Sequence, residues 1–557
     1  MNAQRRPLPV PQMEPLLFLV AVLGRLPALG AWWHGADWEL LGRATGAAGI
    51  GEAPVRWFSQ VAYWRLLGPL LGTTPGPWAV TRLLLHGAVT VLVHRLALRA
   101  GASRAGAFAA ALLTAVTPLA FVPLYQAAGV QDLLGAALAL LCVERLLAGG
   151  PRAAATAALA GLLAVLSRES ALGLPVWAAV LAFGGDRARR RERLAVAAGL
   201  AIASVFEAAL LLRHAATALG HAREPWSAAK VPLDLMQYGW WMISPWPMPT
   251  ARFTLPTGVV GLLAWLAWGV RARAGWRAGD RAAAAALLGA ALALAPALTL
   301  RSPAQPHLAY AAWAVAAIVL GPALARRREV PRPAVTLLFA AAATALSWGA
   351  CEWRLSRRGA DGLPADPVVC RTAISHEALR TLRSVPAGPS PSLVILQPAA
   401  LRAAAGEDPA GGFRPTLVLE ALAGDLGPTL MGPRGATVRW ASDLDRVSLD
   451  ATVLLDAGAR LLYWGPAPQA FLYLTLSEIG LGRAAEAADV FERGLRRSPP
   501  TLSFQFDAGQ LPVTLDAVRA GAPAFLAAVD GADLPPTERA ALSGAARDLL
   551  ARSGAGS

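Results

Sequence analysis

The sequence predicts a polytopic α-helical membrane protein that carries a soluble C-terminal α/β domain. Three observations support this. Long apolar stretches recur from Leu16 to Ala350, each near the length that crosses a hydrocarbon core of roughly 30 Å. Basic residues collect in alternate connections between those stretches. After Cys351 the apolar pattern stops, and the rest of the chain is polar enough to fold in water.

Composition agrees with that class. The chain has 557 residues, of which 55% are hydrophobic and only 16% charged, with a mean hydropathy of +0.45. Soluble proteins of this size carry more charge. The formal net charge is +15, which raises the question of a nucleic-acid partner. The excess is arginine in short runs between apolar stretches, not a basic face on a soluble module, so no nucleic acid is expected. Lys230 is the only lysine. No CxxC, HExxH or other metal-spaced cluster occurs, and no cofactor motif is found.

About eleven spans are expected by length and hydropathy. The first covers residues 15–33. The others lie near 78–98, 105–124, 131–147, 153–167, 170–184, 194–213, 256–270, 282–299, 307–325 and 333–350. Arg5 and Arg6 precede the first stretch, with no small-residue cleavage site after it, so it reads as an uncleaved span. The fifth and sixth spans are short enough to be tilted or broken. Arg99 and Arg104, Arg145 and Arg152, the runs Arg187–Arg193 and Arg271–Arg281, and Arg326–Arg328 with Arg332 all fall on the side of Arg5 and Arg6. That side is the cytoplasm. The multispan domain is then 1–351, with large external loops at 34–77 and 214–255. The soluble domain, 352–557, is extracytoplasmic. Cys142 lies within a span. Cys351 and Cys370 follow the last span, in a compartment that permits a disulfide.

The two external loops and their edges hold ten of the 19 tryptophans, among them Trp32, Trp33, Trp38, Trp57, Trp64 and Trp78. Trp57, Val61, Trp64 and Leu71 share a helical face with Arg56 and Arg65 beside it. This predicts either an amphipathic helix on the outer leaflet, placed to guide a lipid-linked substrate, or a plain aromatic belt.

Few residues have the chemistry for a site. Asp37 lies just beyond the first span, with Glu39 two residues on. An acid at the mouth of a membrane cavity is placed to act as a general base, and the alternative is an ordinary loop acid or helix cap. Arg168 and Glu169 stand between two apolar stretches. There they either neutralise one another or offer a guanidinium to a phosphate. His86 falls within the second span, where a satisfied structural histidine is the simpler reading. Gln131 and Asp132 open the fourth span, and Asp132 also suits a helix cap. His307 and Tyr310, just after Arg301, begin the tenth.

Taken in order, several segments resemble one family. These are Asp37 after the first span, Pro54-Val55-Arg56-Trp57, Arg82-Leu83-Leu84-Leu85-His86, Thr117-Pro118, Gly129-Val130-Gln131-Asp132-Leu133-Leu134, Leu166-Ser167-Arg168-Glu169 through Pro175, and His307-Leu308-Ala309-Tyr310. The first 350 residues resemble the lipid-phosphate-sugar-dependent glycosyltransferases of GT-C fold. The nearest branch is the multispan O-mannosyltransferases that carry tetratricopeptide repeats, with their bacterial relatives. The family shows two adjacent acids after the first span, whereas Trp38 separates Asp37 from Glu39 here. Arg168 stands where the family has lysine.

The resemblance implies a polyprenyl-phosphate-linked sugar donor in a bacterial-type inner (plasma) membrane. It implies a protein or glycan acceptor whose hydroxyl enters from outside, and transfer with inversion. Asp37 would be the base, with Glu39 beside it. Arg168, Arg56 and Arg301 would hold the lipid phosphate, and Glu169, His86, Gln131, Asp132, His307 and Tyr310 would line the pocket. A transporter or flippase of lipid-linked glycans and a non-catalytic membrane scaffold are the other readings. In the soluble domain, 392–396 and 451–455 read as buried strands. Phe471–Pro499, within a helical hairpin at 468–500, resembles a single tetratricopeptide repeat.

Overall fold

The computed structural model describes residues 10–47, 55–183, 187–218, 230–244, 254–277, 281–298, 305–324, 333–359, 362–385, 392–397 and 417–442, with short pieces between 447 and 547. The chain divides into two compact units, Met1–Thr372 and Ala373–Ser557. The 468–500 hairpin lies almost wholly outside the described residues, as does Arg301.

The first unit is helical. It contains α1 (Val10–Leu23), α2 (Asp37–Thr45), α3 (Tyr63–Leu71), α4 (Pro75–Arg99), α5 (Arg104–Ala115), α6 (Phe121–Tyr125), α7 (Val130–Ala148), α8 (Pro151–Val165), α9 (Leu174–Phe183) and α10 (Arg187–Ala218). Beyond these lie α11 (Lys230–Ile243), α12 (Leu255–Arg277), α13 (Arg281–Leu298), α14 (Tyr310–Leu324), α15 (Pro333–Ser356) and, at the boundary of the two units, α16 (Pro367–Ser384). A helix stands at each place where the sequence leads one to expect a span. By length and composition, five of the described helices can cross a membrane, or six if the bent pair 104–115 and 118–125 counts as one span. Five further apolar helices, of 10–17 residues, are shorter.

α4, α5, α7 and α14 form the centre of the bundle. The apolar window of the α7 segment is 78% buried, against 22% for α15, so α7 is core and α15 is peripheral. Small residues set the spacing: a Cβ at Gly321 on α14 would collide with the Ala110 backbone on α5. The outward faces of α10, α12 and α15 expose large apolar side chains such as Ile202, Phe206, Leu263, Leu338 and Leu346. A surface so apolar is stable against lipid and not against water.

The bent span frees backbone carbonyls in the apolar interior, and each must find a donor. Arg25, 2% exposed, donates to Val116 O (2.8 Å) and Thr117 O (2.6 Å), and its other terminal nitrogen lies 3.1 Å from Cys351 Sγ. Arg82 Nε donates to Leu124 O at 2.9 Å. His86 Nε2 lies 3.1 Å from Ala115 O, and its Nδ1 lies 2.8 Å from Tyr310 Oη. A carbonyl only accepts, so Nε2 carries the proton and Nδ1 accepts from the tyrosine. Cys142, Cys351 and Cys370 are not joined in a disulfide.

The tryptophans do not form a simple belt. Trp64 stacks on Trp78 at 4.3 Å, and Trp33 and Tyr63 pack around that pair. Trp33 Nε1 donates to Thr73 O, and Trp78 Nε1 donates to Gly72 O. This knot fixes the loop after α1 to the start of α4. The expected amphipathic face is shifted. Residues Phe58–Ala62 form a π-helical turn, whose i→i+5 bonds rotate the helix beyond it. Val61 and Trp64 are buried, while Trp57 is 47% exposed, and the outward apolar residues are Leu66 and Leu70.

The second unit contains β1 (Ser392–Leu396), α17 (Leu417–Leu422), α18 (Leu426–Met431), β2 (Thr437–Ala441), β3 (Thr452–Asp456) and β4 (Leu461–Pro466). The strand order is β2-β1-β3-β4, with β1 parallel to both neighbours and β4 antiparallel to β3. Both expected strands are present, the second shifted by one residue.

Arg25→Ala removes the donor for two buried carbonyls, a loss of about 2–5 kcal/mol. Thermal unfolding of the detergent-purified chain, followed by tryptophan fluorescence, should show a clearly lower midpoint. Cys351→Ala, which loses only a weak acceptor, should shift it far less.

Candidate functional site

Four segments distant in sequence meet at one polar cluster in the first unit. The first is the turn at Arg56. Its backbone has φ +53°, in the left-handed region that costs a non-glycine residue energy. The conformation persists because the flanking chain is fastened. Phe58 N donates to Leu166 O (3.0 Å) and Ser59 Oγ donates to Ser167 O (2.7 Å). Held this way, the Arg56 amide donates to Glu207 Oε1 of α10 at 2.7 Å.

The second segment is the start of α7, whose first turn presents Gln131 and Asp132. The helix N-terminus favours a carboxylate there. The third is the link between α8 and α9. Arg168 is extended, and a three-residue 3-10 turn, Glu169–Ala171, comes directly after it. Gly135 on α7 makes room for Arg168, since a Cβ there would lie 2.8 Å from Arg168 Cβ. The fourth is the turn Pro306–Ala309, whose His307 senses Asp132, Arg168 and Arg56 electrostatically.

The side chains form one network. Arg56 grips Glu169 Oε1 with two nitrogens, its Nε at 2.5 Å and its Nη2. Arg168 Nε lies 2.8 Å from Asp132 Oδ1 and 3.6 Å from Glu169 Oε2. Gln131 Oε1 accepts from Arg56 (3.1 Å), Gln60 (3.4 Å) and Arg168 (3.5 Å). The two guanidiniums thus pair with two carboxylates, Asp132 and Glu169, and a third carboxylate, Glu207, accepts the Arg56 amide. Burial lowers the pKa of Arg56, and the neighbouring Arg168 acts in the same direction, while Glu169 and Asp132 oppose both. Chemically, the cluster offers fixed cations for a phosphate and carboxylates for a proton. Among the described residues, no group of three or more His, Cys, Asp or Glu is placed to hold a metal ion.

The structure joins Arg56, Gln131, Asp132, Arg168 and Glu169, with His307 beside them. The other described candidates, Asp37, Glu39, His86 and Tyr310, make their hydrogen bonds and ion pairs elsewhere. Asp37 is fully buried. Its Oδ1 accepts the Ala128 amide at 2.7 Å, and its Oδ2 accepts the His34 amide at 3.3 Å. These amides draw the carboxylate inward. Glu39 is 59% exposed, and its nearest basic contact is Arg43 at 3.9 Å. His86 and Tyr310 pair with each other at the bent span.

Glu207, Gln60, Arg25 and Arg82 do not stand out by sequence reasoning. Glu207 carries a usable signal all the same: it is the lone acid in the apolar run 194–213, and an ionisable residue inside a span points to a site.

Asp37 has a structural place here, because its bond to Ala128 fixes the turn just before Gln131 and Asp132. Asp37→Ala leaves two buried amides unsatisfied and should cost about 1–3 kcal/mol in thermal unfolding. Asp37→Asn keeps an acceptor for Ala128 and should cost less.

No protein-family model and no curated protein matches the chain. The chain is similar to solved structures of the Archaeoglobus fulgidus oligosaccharyltransferase. For the apo form, identity is 15%, and the match covers 69% of this chain and 62% of that one, with a TM-score of 0.41. For the form tethered by a disulfide to an acceptor peptide containing the NVT sequon, the values are 16%, 70%, 61% and 0.40. For the complex with Zn and sulfate they are 14%, 88%, 72% and 0.41. The match to the first two therefore spans less than two thirds of their length, and likeness at this level does not extend to function.

Proposed function

We propose that this chain is a membrane glycosyltransferase of the GT-C type. It moves a sugar from a polyprenyl-phosphate donor to an acceptor hydroxyl, on a protein or a glycan, at the extracytoplasmic side. The observation that carries this reading is the convergence of four motif segments, around Arg56, Gln131-Asp132, Arg168-Glu169 and His307, into one buried ionic cluster. These are the segments by which the sequence resembles that family, and the first and last lie about 250 residues apart in the chain.

In this reading all eleven apolar helices are spans. The N-terminus is cytoplasmic, the membrane is a bacterial-type inner membrane, and the C-terminal domain is outside. The donor phosphate binds between Arg56 and Arg168, with Arg301 as a further candidate cation. Asp132 takes the role of base expected from the sequence for Asp37, and Asp37 positions it. The acceptor oxygen attacks the anomeric carbon from the face opposite the phosphate, and its proton passes to the carboxylate. The bond from the anomeric carbon to the phosphate oxygen breaks, and its electron pair stays on the departing polyprenyl phosphate. Negative charge grows on that phosphate during the step, so fixed guanidiniums stabilise the transition state more than the ground state. A single displacement gives inversion.

The bent span favours a second reading, a transporter of lipid-linked glycans, since transporters bind substrate at broken helices. Arg25 and His86 take the carbonyls of Ala115, Val116 and Thr117 at that break, which leaves less backbone for a ligand there.

The test is a screen of labelled polyprenyl-phosphate sugars and acceptors on the purified chain in nanodiscs. Arg168→Ala should weaken donor binding by roughly tenfold or more. Asp132→Asn should bind donor but transfer about 100-fold more slowly or worse. Unchanged donor affinity in Arg168→Ala removes the phosphate role. Full transfer by Asp132→Asn removes the base role. Loss of transfer in a stably folded Asp37→Asn would return the base role to Asp37.

A further inference from the structure

The three carboxylates of the cluster are not equivalent. The Glu169 side chain is 17% exposed, while Asp132 is 7% and Glu207 is 2% exposed. Glu169 is also the one that both guanidiniums approach. It stands on a three-residue 3-10 turn, where a small backbone change moves the side chain. Asp132 rises from the enclosed start of α7. Glu207 stands on the long α10 and holds the Arg56 amide.

We propose that Glu169 occupies the seat of the donor's phosphate and must leave it before a lipid phosphate binds. This rests on the glycosyltransferase reading above. A carboxylate and a phosphate present similar paired oxygens to a guanidinium fork. With Glu169 in place, an incoming phosphate would be a third anion on two cations, with Glu207 close by on the Arg56 amide, in a site largely closed to water, where charge repulsion is poorly screened. One anion has to go, and Glu169 is the most exposed of the three and the one that holds the guanidinium fork the phosphate needs. Arg56 is the point of entry, since its side chain is 26% exposed against 11% for Arg168. The phosphate takes the Arg56 fork from Glu169, Glu169 swings outward, and Arg168 completes the seat. The apolar crevice beside Ser170 has the same closed character. It is lined by Ala136, Ala139, Gly173, Trp177 and Val315, and its volume of about 20 Å³ holds little more than one water molecule. Glu169 is then a specificity-determining residue. It admits only ligands whose anion binds two guanidiniums better than a carboxylate does, and it keeps neutral lipids out.

The experiment measures binding of inorganic phosphate and, separately, of polyprenyl phosphate to the full chain in nanodiscs. Sugar transfer is not needed for the readout. Glu169→Gln should bind both ligands roughly tenfold more tightly than the parent, and adding Arg56→Ala should abolish the gain. Glu207→Gln removes the same charge outside the seat and should give no comparable gain. If Glu169→Gln lowers the thermal midpoint, Glu169→Asp, which keeps the charge but shortens the reach, should show a gain in the same direction. Unchanged or weaker binding in both variants overturns the proposal, as does an equal gain in Glu207→Gln. A gain for inorganic phosphate alone overturns it too, because the seat would then not be the donor's. The transferase reading fails separately if the parent transfers sugar from no polyprenyl-phosphate donor while the Glu169→Gln gain stands.

Discussion

The first unit is organised around the ion network that joins Arg56, Glu169, Arg168 and Asp132. Buried charge is tolerated only when paired and hydrogen-bonded, and removing one member leaves the others uncompensated. The members come from three separate stretches of chain, so the network also fixes how those stretches meet. The left-handed turn at Arg56, the π-helical turn after it and the close approach of Arg168 to Gly135 all serve this arrangement. Strain at Arg56 persists because the amide and the guanidinium are both satisfied there, by Glu207 and Glu169 respectively.

The buried arginines divide into two kinds. Arg25 donates to main-chain carbonyls released where the span 104–125 bends by 41°, and Arg82 donates to Leu124 O at the end of that span. They make an irregular backbone tolerable in an apolar interior and leave little capacity for a ligand. Arg56 and Arg168 pair with side-chain carboxylates, which a competing anion can displace. At the far ends of α4 and α7, Arg99 and Arg145 meet Glu144. At the end of α15, Arg354 pairs with Asp366 and lies over the Phe121 ring, tying that helix to α6.

Much of this was legible in the sequence. The helices fall where hydropathy places them, because burial of apolar side chains is a local property of composition. Gln131-Asp132 and Arg168-Glu169 could be singled out because charge between apolar stretches is costly and demands a reason. The setting of Asp37 could not be read from the sequence for a physical cause. A loop acid beside tryptophans looks the same in sequence whether it faces water or accepts buried amides, and here Ala128 and His34 supply those amides. The pairing of His86 with Tyr310 links residues 224 positions apart and leaves no local trace. The face shared by Trp57 and Trp64 failed because a π turn between them changes the helical phase. Glu207 was visible as a lone acid in an apolar run, but its partner, a backbone amide, carries no sequence signature.

Everything functional rests on the cluster being the place where a lipid phosphate meets fixed positive charge. The most direct measurement is a cryo-EM structure of the full chain in nanodiscs with polyprenyl phosphate bound. The expected map shows the phosphate within hydrogen-bond reach of both Arg56 and Arg168, with the lipid chain leaving toward the bilayer. A phosphate bound elsewhere, with the four side chains still joined as they are here, would contradict the central claim.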